Sequence, residues 1–498
     1  MNIITLLLVL LAAILIMLDW RKGLMMVILM GIAQDPLRKL AAGQSIVYVL
    51  LAAGLFGVTW ARAGMARIPL GPSSIQGWRE NFKVPFTVFT ILVCLQAAQS
   101  LARYDSLLMP AIGMLVWLSP IPAVVFGYQF AVRRGLPAVK SLMVLYIVVA
   151  LIALSGVYFE YAGFDWRTLG EIGEGQIIYD MGTTLKAHSG FFRASEIAAW
   201  HTATAACFIF LLSVGKRATL PRVVTAIVLI CVIVTLGILT GRRKMLVEIA
   251  IFLSTYWFLV AWLQRGLARV GVVVLAAGAV CYIGIVGFIS PDLVAADYTK
   301  NMHLSENSSR LEGYTERGKS VIVDLPARVS KVGFSPVIDA IDTFGWLGAG
   351  LGTGSQGTNQ IAEKYNLDRG VAEGGLGKVA MELGVPGLIV IGWLMVAFGR
   401  HLREQLAIVT SLSVQHTRIA FGMLAFIVAN IATFSVATQA YSDPFILLLL
   451  GLSVGFLLAM APLSLAETAR AAWRRQGAAE AQPPFAATVP GPTHRTAP

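Results

Sequence analysis

The sequence carries little charge for its length: 13% of its 498 residues are Asp, Glu, Lys or Arg, whereas soluble domains carry about 25%. Hydrophobic residues make up 57% of the chain, and the mean hydropathy is +0.74. This composition excludes a soluble globular domain. The sequence therefore predicts an all-α polytopic membrane protein.

Cysteine is scarce, and its four positions are dispersed through apolar runs, which argues against both a disulfide framework and a metal cluster. These positions are Cys94, Cys207, Cys231 and Cys281. The net charge of +12 does not indicate nucleic acid as a partner, because the basic residues flank apolar runs as membrane orientation requires.

Long hydrophobic runs are abundant, and a membrane-spanning helix needs about 20 such residues. By this measure the sequence predicts 12 or 13 spans, the second of which is interrupted by Gln34, Asp35 and Pro36. Pro120 and Pro122 predict a kink in the fifth. The predicted spans are 2–19, 24–40, 45–61, 84–102, 107–131, 138–158, 196–214, 219–240, 244–263, 268–289, 377–399, 416–438 and 443–462.

Lys and Arg in the short loops cluster on one side of these spans, which the positive-inside rule assigns to the cytoplasm. The N-terminus and the long loops 159–195 and 290–376 then face outward. Residues 1–476 are predicted to form one transmembrane domain, and the Ala/Pro-rich segment 477–498 a disordered cytoplasmic tail.

Several cations fall on the outer side despite this rule. The turn 241–244 carries Arg242, Arg243 and Lys244, and Arg38, Lys39 and Arg103 lie on the same side. Two interpretations are open: basic side chains that reach lipid phosphates, or a site for a polyanion gripped by guanidinium groups. An anionic lipid substrate satisfies both.

The loop 159–195 ends at a predicted helix start, where Ser195 is a candidate N-cap and Arg193 is either a substrate ligand or the partner of Glu196. Loop 290–376 contains a predicted amphipathic helix, roughly 308–331, with Arg310 as a candidate ligand. Residues 313–320 match the P-loop pattern, but no buried strand precedes them, so nucleotide binding is not expected.

The segment 344–388 organises the rest of the chain. It begins with the turn-rich sequence FGWLGAGLGTGSQG and ends with EGGLGKVAMELGVPGL, a hydrophobic helix that enters the membrane near Lys378. Ionisable residues gathered at the mouth of a membrane bundle are functional candidates. Here they are Glu363, Lys364, Asp368, Arg369 and Glu373.

Three of these outer segments resemble motifs of the O-antigen ligase and polysaccharide polymerase superfamily (Wzy-type membrane glycosyltransferases). Residues 239–245, LTGRRKM, resemble its "T-G-S-R-G" turn, and 188–193, HSGFFR, its "S-G-x-F" segment. Residues 346–352, WLGAGLG, and 382–387, ELGVPG, resemble its "G-x-G" and "E-x-G-x-x-G" motifs. The resemblance covers roughly 185–400.

The resemblance implies an all-helical bundle of the GT-C type with a large periplasmic loop, in the bacterial cytoplasmic (inner) membrane. It implies glycosyl transfer from an undecaprenyl-pyrophosphate-linked oligosaccharide at the periplasmic face, without metal or cofactor. Arg243 falls on the motif arginine and, with Arg242 or Lys244, would stabilise the leaving pyrophosphate. Arg193, Arg310 and Lys378 are the further candidate ligands. Membrane lipid and a chain-length regulator are candidate partners.

The chain departs from the family pattern at one position. Family ligases have a His-Asn-like pair nine residues before the motif glutamate, where this chain has Glu373, and no histidine occurs in 304–400. Glu373, expected to be partly desolvated, is therefore the predicted general base. The alternative is an ion pair with Arg369 or a cap of the helix that begins near Gly375.

Three functions follow from these features. The first is a polymerase that lengthens an exopolysaccharide or O-antigen on its lipid carrier. The second is a ligase that transfers finished glycan to a lipid A core or another acceptor. The third is a transporter or flippase that moves the lipid-linked saccharide without changing a bond.

Overall fold

A computed structural model of the chain describes residues 3–41, 46–172, 177–180, 183–214, 219–263, 326, 329–355 and 372–480. Within these ranges the chain folds mainly into α-helices, which are joined by turns and by longer loops. The helices are α1 Ile3–Leu18, α2 Gly23–Leu40, α3 Leu51–Met65, α4 Trp78–Asn81, α5 Lys83–Tyr104, α6 Leu108–Leu118, α7 Pro120–Tyr161, α8 Ser195–Ser213, α9 Leu220–Leu239, α10 Lys244–Leu263, α11 Ser335–Phe344, α12 Gly375–Leu412, α13 Val414–Val436, α14 Pro444–Leu458 and α15 Met460–Glu480.

One antiparallel hairpin interrupts the helical fold. Its strands, β1 Ile177–Asp180 and β2 Thr183–Lys186, pair with Ile177 opposite Lys186 in the loop between α7 and α8. Single 3-10 or π turns occur at Trp20–Lys22, Ile46–Leu50, Pro72–Ser74, Val329–Phe334 and Ala440–Ser442. The predicted span 268–289, the P-loop match, Arg310 and most of the predicted tail lie outside the described residues.

The prediction of an all-α multi-pass membrane protein is confirmed. In the described part of the chain, eight helices are long and apolar enough to cross a membrane, and a ninth span results if the bent pair α14 and α15 is counted as one. The predicted span 2–19 forms a helix of 16 residues, which is short for a crossing. The predicted span 24–40 forms α2, whose last two turns carry Asp35, Arg38 and Lys39.

The predicted spans 107–131 and 138–158 lie in one helical run, Leu108–Tyr161. Gly135 divides this run with the non-helical angles φ 77° and ψ 173°, at the place where the sequence predicts a loop. The helix is also interrupted at Ser119, directly before Pro120. Ser119 itself keeps the helical angles φ −61° and ψ −29°, so the kink that Pro120 and Pro122 predict there stays a prediction.

Glycines bring the central helices α7 and α14 into close contact. A Cβ atom on Gly455 would lie 2.2 Å from the carbonyl oxygen of Val124, and one on Gly127 would lie 2.7 Å from that of Leu452. Small residues permit such approach in membrane bundles, where packing rather than hydrophobic burial holds helices together. The helix α8 lies inside the bundle, with 83% of its most apolar window buried.

The predicted span 377–399 is a broken helix. Gly384 in α12 has φ 68° and ψ −170°, a conformation that favours glycine, and Pro386 follows two residues later. The break frees backbone groups that the glycine segment 345–355 satisfies. Ala349 N donates to Met381 O at 2.7 Å, and Val385 N donates to Trp346 O at 2.9 Å.

The glycine segment itself lies among α5, α6 and α12 at one end of the bundle. Its carbonyl groups accept hydrogen bonds from α5: Gln96 to Leu347 O at 3.0 Å, Gln99 to Gly348 O at 3.0 Å, Ser100 to Leu351 O at 2.9 Å and Tyr104 to Ala349 O at 3.1 Å. Gly352 contacts Met109 so closely that a Cβ atom there would lie 2.0 Å from its carbonyl oxygen. Irregular backbone is tolerated in a membrane bundle where protein satisfies it in this way.

Candidate functional site

The loop 437–443, between α13 and α14, contacts three segments that are distant in sequence. Lys244 Nζ, at the start of α10, donates a hydrogen bond to Gln439 Oε1. Lys378 Nζ, on α12, lies 3.5 Å from Ser442 Oγ. Arg193, just before α8, pairs with Asp443 at 2.6 Å. One loop therefore holds three of the side chains predicted to bind substrate.

Arg193 lies between two buried carboxylates. Its Nη1 donates to Asp35 Oδ1 at 2.9 Å, and its Nη2 lies 2.6 Å from Asp443 Oδ2. Burial opposes the charge of the guanidinium, but Asp35 and Asp443 outweigh it and hold the pKa of Arg193 above its ordinary value. The expected alternative pairing of Arg193 with Glu196 is wrong, because both carboxylates come from other segments of the chain.

Arg242 is the partner of Glu196 instead. Its Nη2 lies 2.9 Å from Glu196 Oε1, and its Nε donates to Ser195 Oγ at 2.8 Å. The prediction of Ser195 as N-cap is also wrong, since α8 begins at Ser195 and Ala194 occupies the cap position. The hydroxyl of Ser195 orients a guanidinium of the basic turn rather than closing its own helix.

Two side chains, those of Lys39 and Glu160, hold the segment 188–193 by hydrogen bonds. Lys39 Nζ donates to Gly190 O at 2.7 Å, and Glu160 accepts hydrogen bonds from Ser189 N at 3.0 Å and Gly190 N at 2.8 Å. Lys39 is buried, with 3% exposure, so it is not a cation that reaches lipid phosphates. Arg103, by contrast, is exposed at the end of α5.

Glu171, in the loop before the hairpin, is a functional candidate that the sequence did not single out. Its carboxyl group accepts hydrogen bonds from Ser195. Burial is the largest cause that raises the pKa of Glu171 to about 7, and the charge of Glu196 is the second. Arg242 opposes this shift. Two carboxyl groups thus face one guanidinium at the start of α8. No motif marks this residue, because its neighbours are supplied by the fold.

A small cavity of about 20 Å³ lies beside this cluster, enough for a single water-sized group. Four partly exposed residues form its rim, and buried residues form its floor. The rim consists of Glu196, Arg242, Lys244 and Gln439. The floor consists of Ala199, Trp200, Met245, Glu248, Thr433, Ala437, Ala440 and Tyr441.

The floor contains a buried carboxyl group, that of Glu248, with 1% exposure. Beside it, Asn430 accepts hydrogen bonds from Trp200 Nε1 at 2.8 Å and from Tyr441 OH at 3.1 Å. Sequence reasoning missed Glu248, although it is the one acidic residue in the apolar run 244–263. Ionisable residues within spans are functional candidates, and this signal alone would have found it.

Glu373 lies near the cavity but not in it. Its carbonyl oxygen accepts a hydrogen bond from Thr438 N at 3.0 Å, which ties it to the loop 437–443. Its side chain is exposed, and the expected partial desolvation of this carboxyl group is therefore wrong. Arg369, its predicted alternative partner, lies outside the described residues.

The remaining predicted ligands divide between the basic turn and α12. Arg243 is partly buried in the same turn as Arg242 and Lys244. Lys378 is buried with 1% exposure, one turn before Glu382. Glu382 accepts hydrogen bonds from Trp117 Nε1 at 2.6 Å and Gly354 N at 3.0 Å. Glu382 thus connects α6, the glycine segment and α12.

Comparison with known proteins adds no assignment to this geometry. No family model matches the sequence, and no curated protein matches it. In the described ranges, no group of three or more His, Cys, Asp or Glu side chains is arranged to hold a metal ion.

Proposed function

We propose that this chain is a membrane glycosyltransferase that polymerises exopolysaccharide or O-antigen repeat units. The donor is an oligosaccharide linked to undecaprenyl pyrophosphate, and the acceptor is a sugar hydroxyl. The reaction takes place at the periplasmic face of the bacterial inner membrane, in a GT-C-like bundle. The observation that carries the proposal is that the loop 437–443 brings together two predicted substrate ligands, Lys244 and Lys378, while Arg193 anchors the same loop through Asp443.

The cations at the cavity rim suit a pyrophosphate leaving group. Arg242 is held in place by Ser195 and Glu196, and Lys244 by Gln439. Donors fixed before the reaction stabilise developing negative charge without reorganisation. Arg243 lies between these two residues in the sequence of the turn and is its third cation, although it does not line the cavity.

The acceptor side has room for only a small group in this conformation. The cavity of about 20 Å³ admits a hydroxyl group but not a sugar ring, so the saccharides would lie outside the rim. The rim also balances the carboxylate of Glu196 against its two cations. We infer that the pyrophosphate approaches from the side of Lys244, because Arg242 is already paired with Glu196 at 2.9 Å.

One observation favours a transporter as a second candidate. The helix α12 is broken at Gly384, and broken helices beside irregular backbone are the device by which many transporters bind substrate at mid-membrane. Such a protein would move the lipid-linked saccharide and leave its bonds unchanged.

Purified protein in vesicles, given only the lipid-linked repeat unit, distinguishes these functions. The proposal expects a ladder of lipid-linked polymers together with released undecaprenyl pyrophosphate. A ligase gives product only after a second acceptor, such as lipid A core, is added. A transporter would move the lipid-linked donor from one leaflet of the vesicle membrane to the other and leave it chemically intact. This result would refute the proposed reaction.

A further inference from the structure

The carboxyl group of Glu248 lies at the closed end of the basic cavity. Glu248 follows Lys244 by four residues on α10, so the two side chains share one face of the helix and are separated by one turn. Lys244 forms part of the partly exposed rim, and Glu248 part of the buried floor. The cavity thus runs from a cationic rim to a buried carboxyl group.

The surroundings of this carboxyl group leave one of its oxygens without a hydrogen-bond partner in the described part of the chain. Asn430 beside it is fixed by Trp200 and Tyr441, which both donate to its Oδ1, and by its own Nδ2, which donates to Phe426 O at 2.9 Å. Among the described residues, none forms a hydrogen bond with Glu248 Oε1. A buried oxygen without a partner is costly, and here it belongs to a residue that lines a cavity for one small polar group.

We propose that Glu248 is the general base of the glycosyl transfer. This inference rests on the proposed function. The acceptor hydroxyl enters the cavity and donates its proton to Glu248. Its oxygen bonds the anomeric carbon of the donor, and the bond from that carbon to the pyrophosphate oxygen breaks. The electron pair leaves on the lipid pyrophosphate, whose charge Arg242 and Lys244 stabilise.

Glu248 thereby takes the role that the sequence predicted for Glu373. A base must lie within hydrogen-bond reach of the proton it accepts. Glu373 is exposed and belongs to neither the rim nor the floor. Glu196 lies on the rim but is already paired with Arg242. Glu248 is the carboxyl group of the cavity that keeps an oxygen available to a hydroxyl.

The test compares Glu248→Gln with Glu404→Gln, the same change at an exposed position of α12. Glu248→Gln is expected to lose at least about 100-fold in turnover, the range of general-base catalysis. Binding of sugar-free undecaprenyl pyrophosphate and the melting temperature are expected to stay near those of the wild type. Glu404→Gln is expected to keep wild-type turnover.

A second variant separates a catalytic from a structural role. Glu248→Ala leaves space for a small carboxylate, so added formate is expected to restore part of its turnover. A position that serves only packing would show no such rescue, because formate supplies a proton acceptor rather than the missing contacts.

Each other outcome counts against the inference. Turnover of Glu248→Gln within a few-fold of wild type removes Glu248 from the mechanism. A variant that fails to fold, or a Glu248→Ala protein that formate does not rescue, makes Glu248 a structural residue. Loss in Glu373→Gln with normal Glu248→Gln turnover makes Glu373 the base. If the wild-type protein transfers no sugar, the proposed function is overturned together with the role of Glu248. If the wild type and Glu248→Gln are both active, only the role of Glu248 as general base is overturned.

Discussion

Replacement of Arg193 by methionine tests whether this residue fastens the fold or binds substrate. The change removes the guanidinium but keeps a long unbranched side chain. It leaves the carboxylates of Asp35 and Asp443, which are 3% and 2% exposed, without the cation that both contact. Removing one partner of a buried ion pair costs about 3–5 kcal/mol. A figure at the upper end is expected here, since two carboxylates lose the same partner.

A loss of this size shifts the unfolding equilibrium by a factor of roughly 10² to 5 × 10³. Denaturant titration of the purified protein in detergent, followed by tryptophan fluorescence, measures it directly. Arg133→Met is the matched control, because Arg133 is exposed between the two halves of α7. It is expected to unfold like the wild type.

Neutralising the two carboxylates should reverse much of the loss. Arg193→Met combined with Asp35→Asn and Asp443→Asn removes the unpaired charges. The Asp443→Asn change keeps a side-chain oxygen that can still cap α14, where Asp443 accepts hydrogen bonds from Phe445 N and Ile446 N. If Arg193→Met unfolds like the wild type and loses only turnover, the reasoning is refuted and Arg193 is a substrate ligand.

Four further predictions use the same protein. Arg243→Lys keeps the charge but loses the planar fork, so turnover should fall by about 100-fold with normal membrane insertion; full polymer length and yield would leave the turn a lipid anchor. Gly384→Ala should destabilise the protein by more than about 1 kcal/mol, because φ is 68° and the new Cβ would lie 2.5 Å from Trp346 O. Gly392→Ala is the control and should not destabilise the protein, because its Cβ would have nothing within 4 Å. Equal melting temperatures of the two variants would contradict the broken helix. Thr343 and Ser411 are both exposed, so a cysteine at either position can be labelled. In a cysteine-free background, Thr343→Cys should react with an impermeant thiol reagent in intact cells, and Ser411→Cys only after the membrane is opened. The reverse pattern would place the glycine segment in the cytoplasm. Burial and the charge of Glu196 raise the pKa of Glu171 from 4.5 to about 7, so its contribution to stability is complete below pH 4.5 and is lost as the pH rises towards 7. Glu171→Gln should therefore reduce the fall in unfolding free energy between these two pH values. An unchanged slope would show that Glu171 does not cause the fall.

The membrane spans could be read from the sequence because hydrophobicity is a local property. Twenty consecutive apolar residues must be helical in a bilayer whatever surrounds them, and the helices α3, α5 and α8 to α10 lie where the runs predict. The break at Gly135 could be predicted as well, because the basic segment around it is also a local feature of the sequence. For the short α1 and the charged α2, length and composition do not decide whether the helix spans the membrane.

The partners of the charged side chains could not be read in this way. Arg193 and Glu196 are three residues apart, and sequence spacing suggested that they pair. Each has a stronger partner elsewhere: Arg193 has Asp35 and Asp443, and Glu196 has Arg242. Helix packing decides which of several nearby carboxylates lies within about 3 Å of a guanidinium, and that packing is not encoded in any one segment.

The sequence by itself determined that this is a helical membrane protein and that the turn 241–244 carries three consecutive cations. Both can be read from the local sequence, which does not depend on contacts. Only the tertiary structure decided that the loop 437–443 joins this turn to Arg193 and Lys378, that Glu373 is exposed, and that Glu248 is buried at the end of a cavity. Depth and proximity depend on how distant helices pack, so the carboxyl group best placed for chemistry could be chosen only in the folded chain.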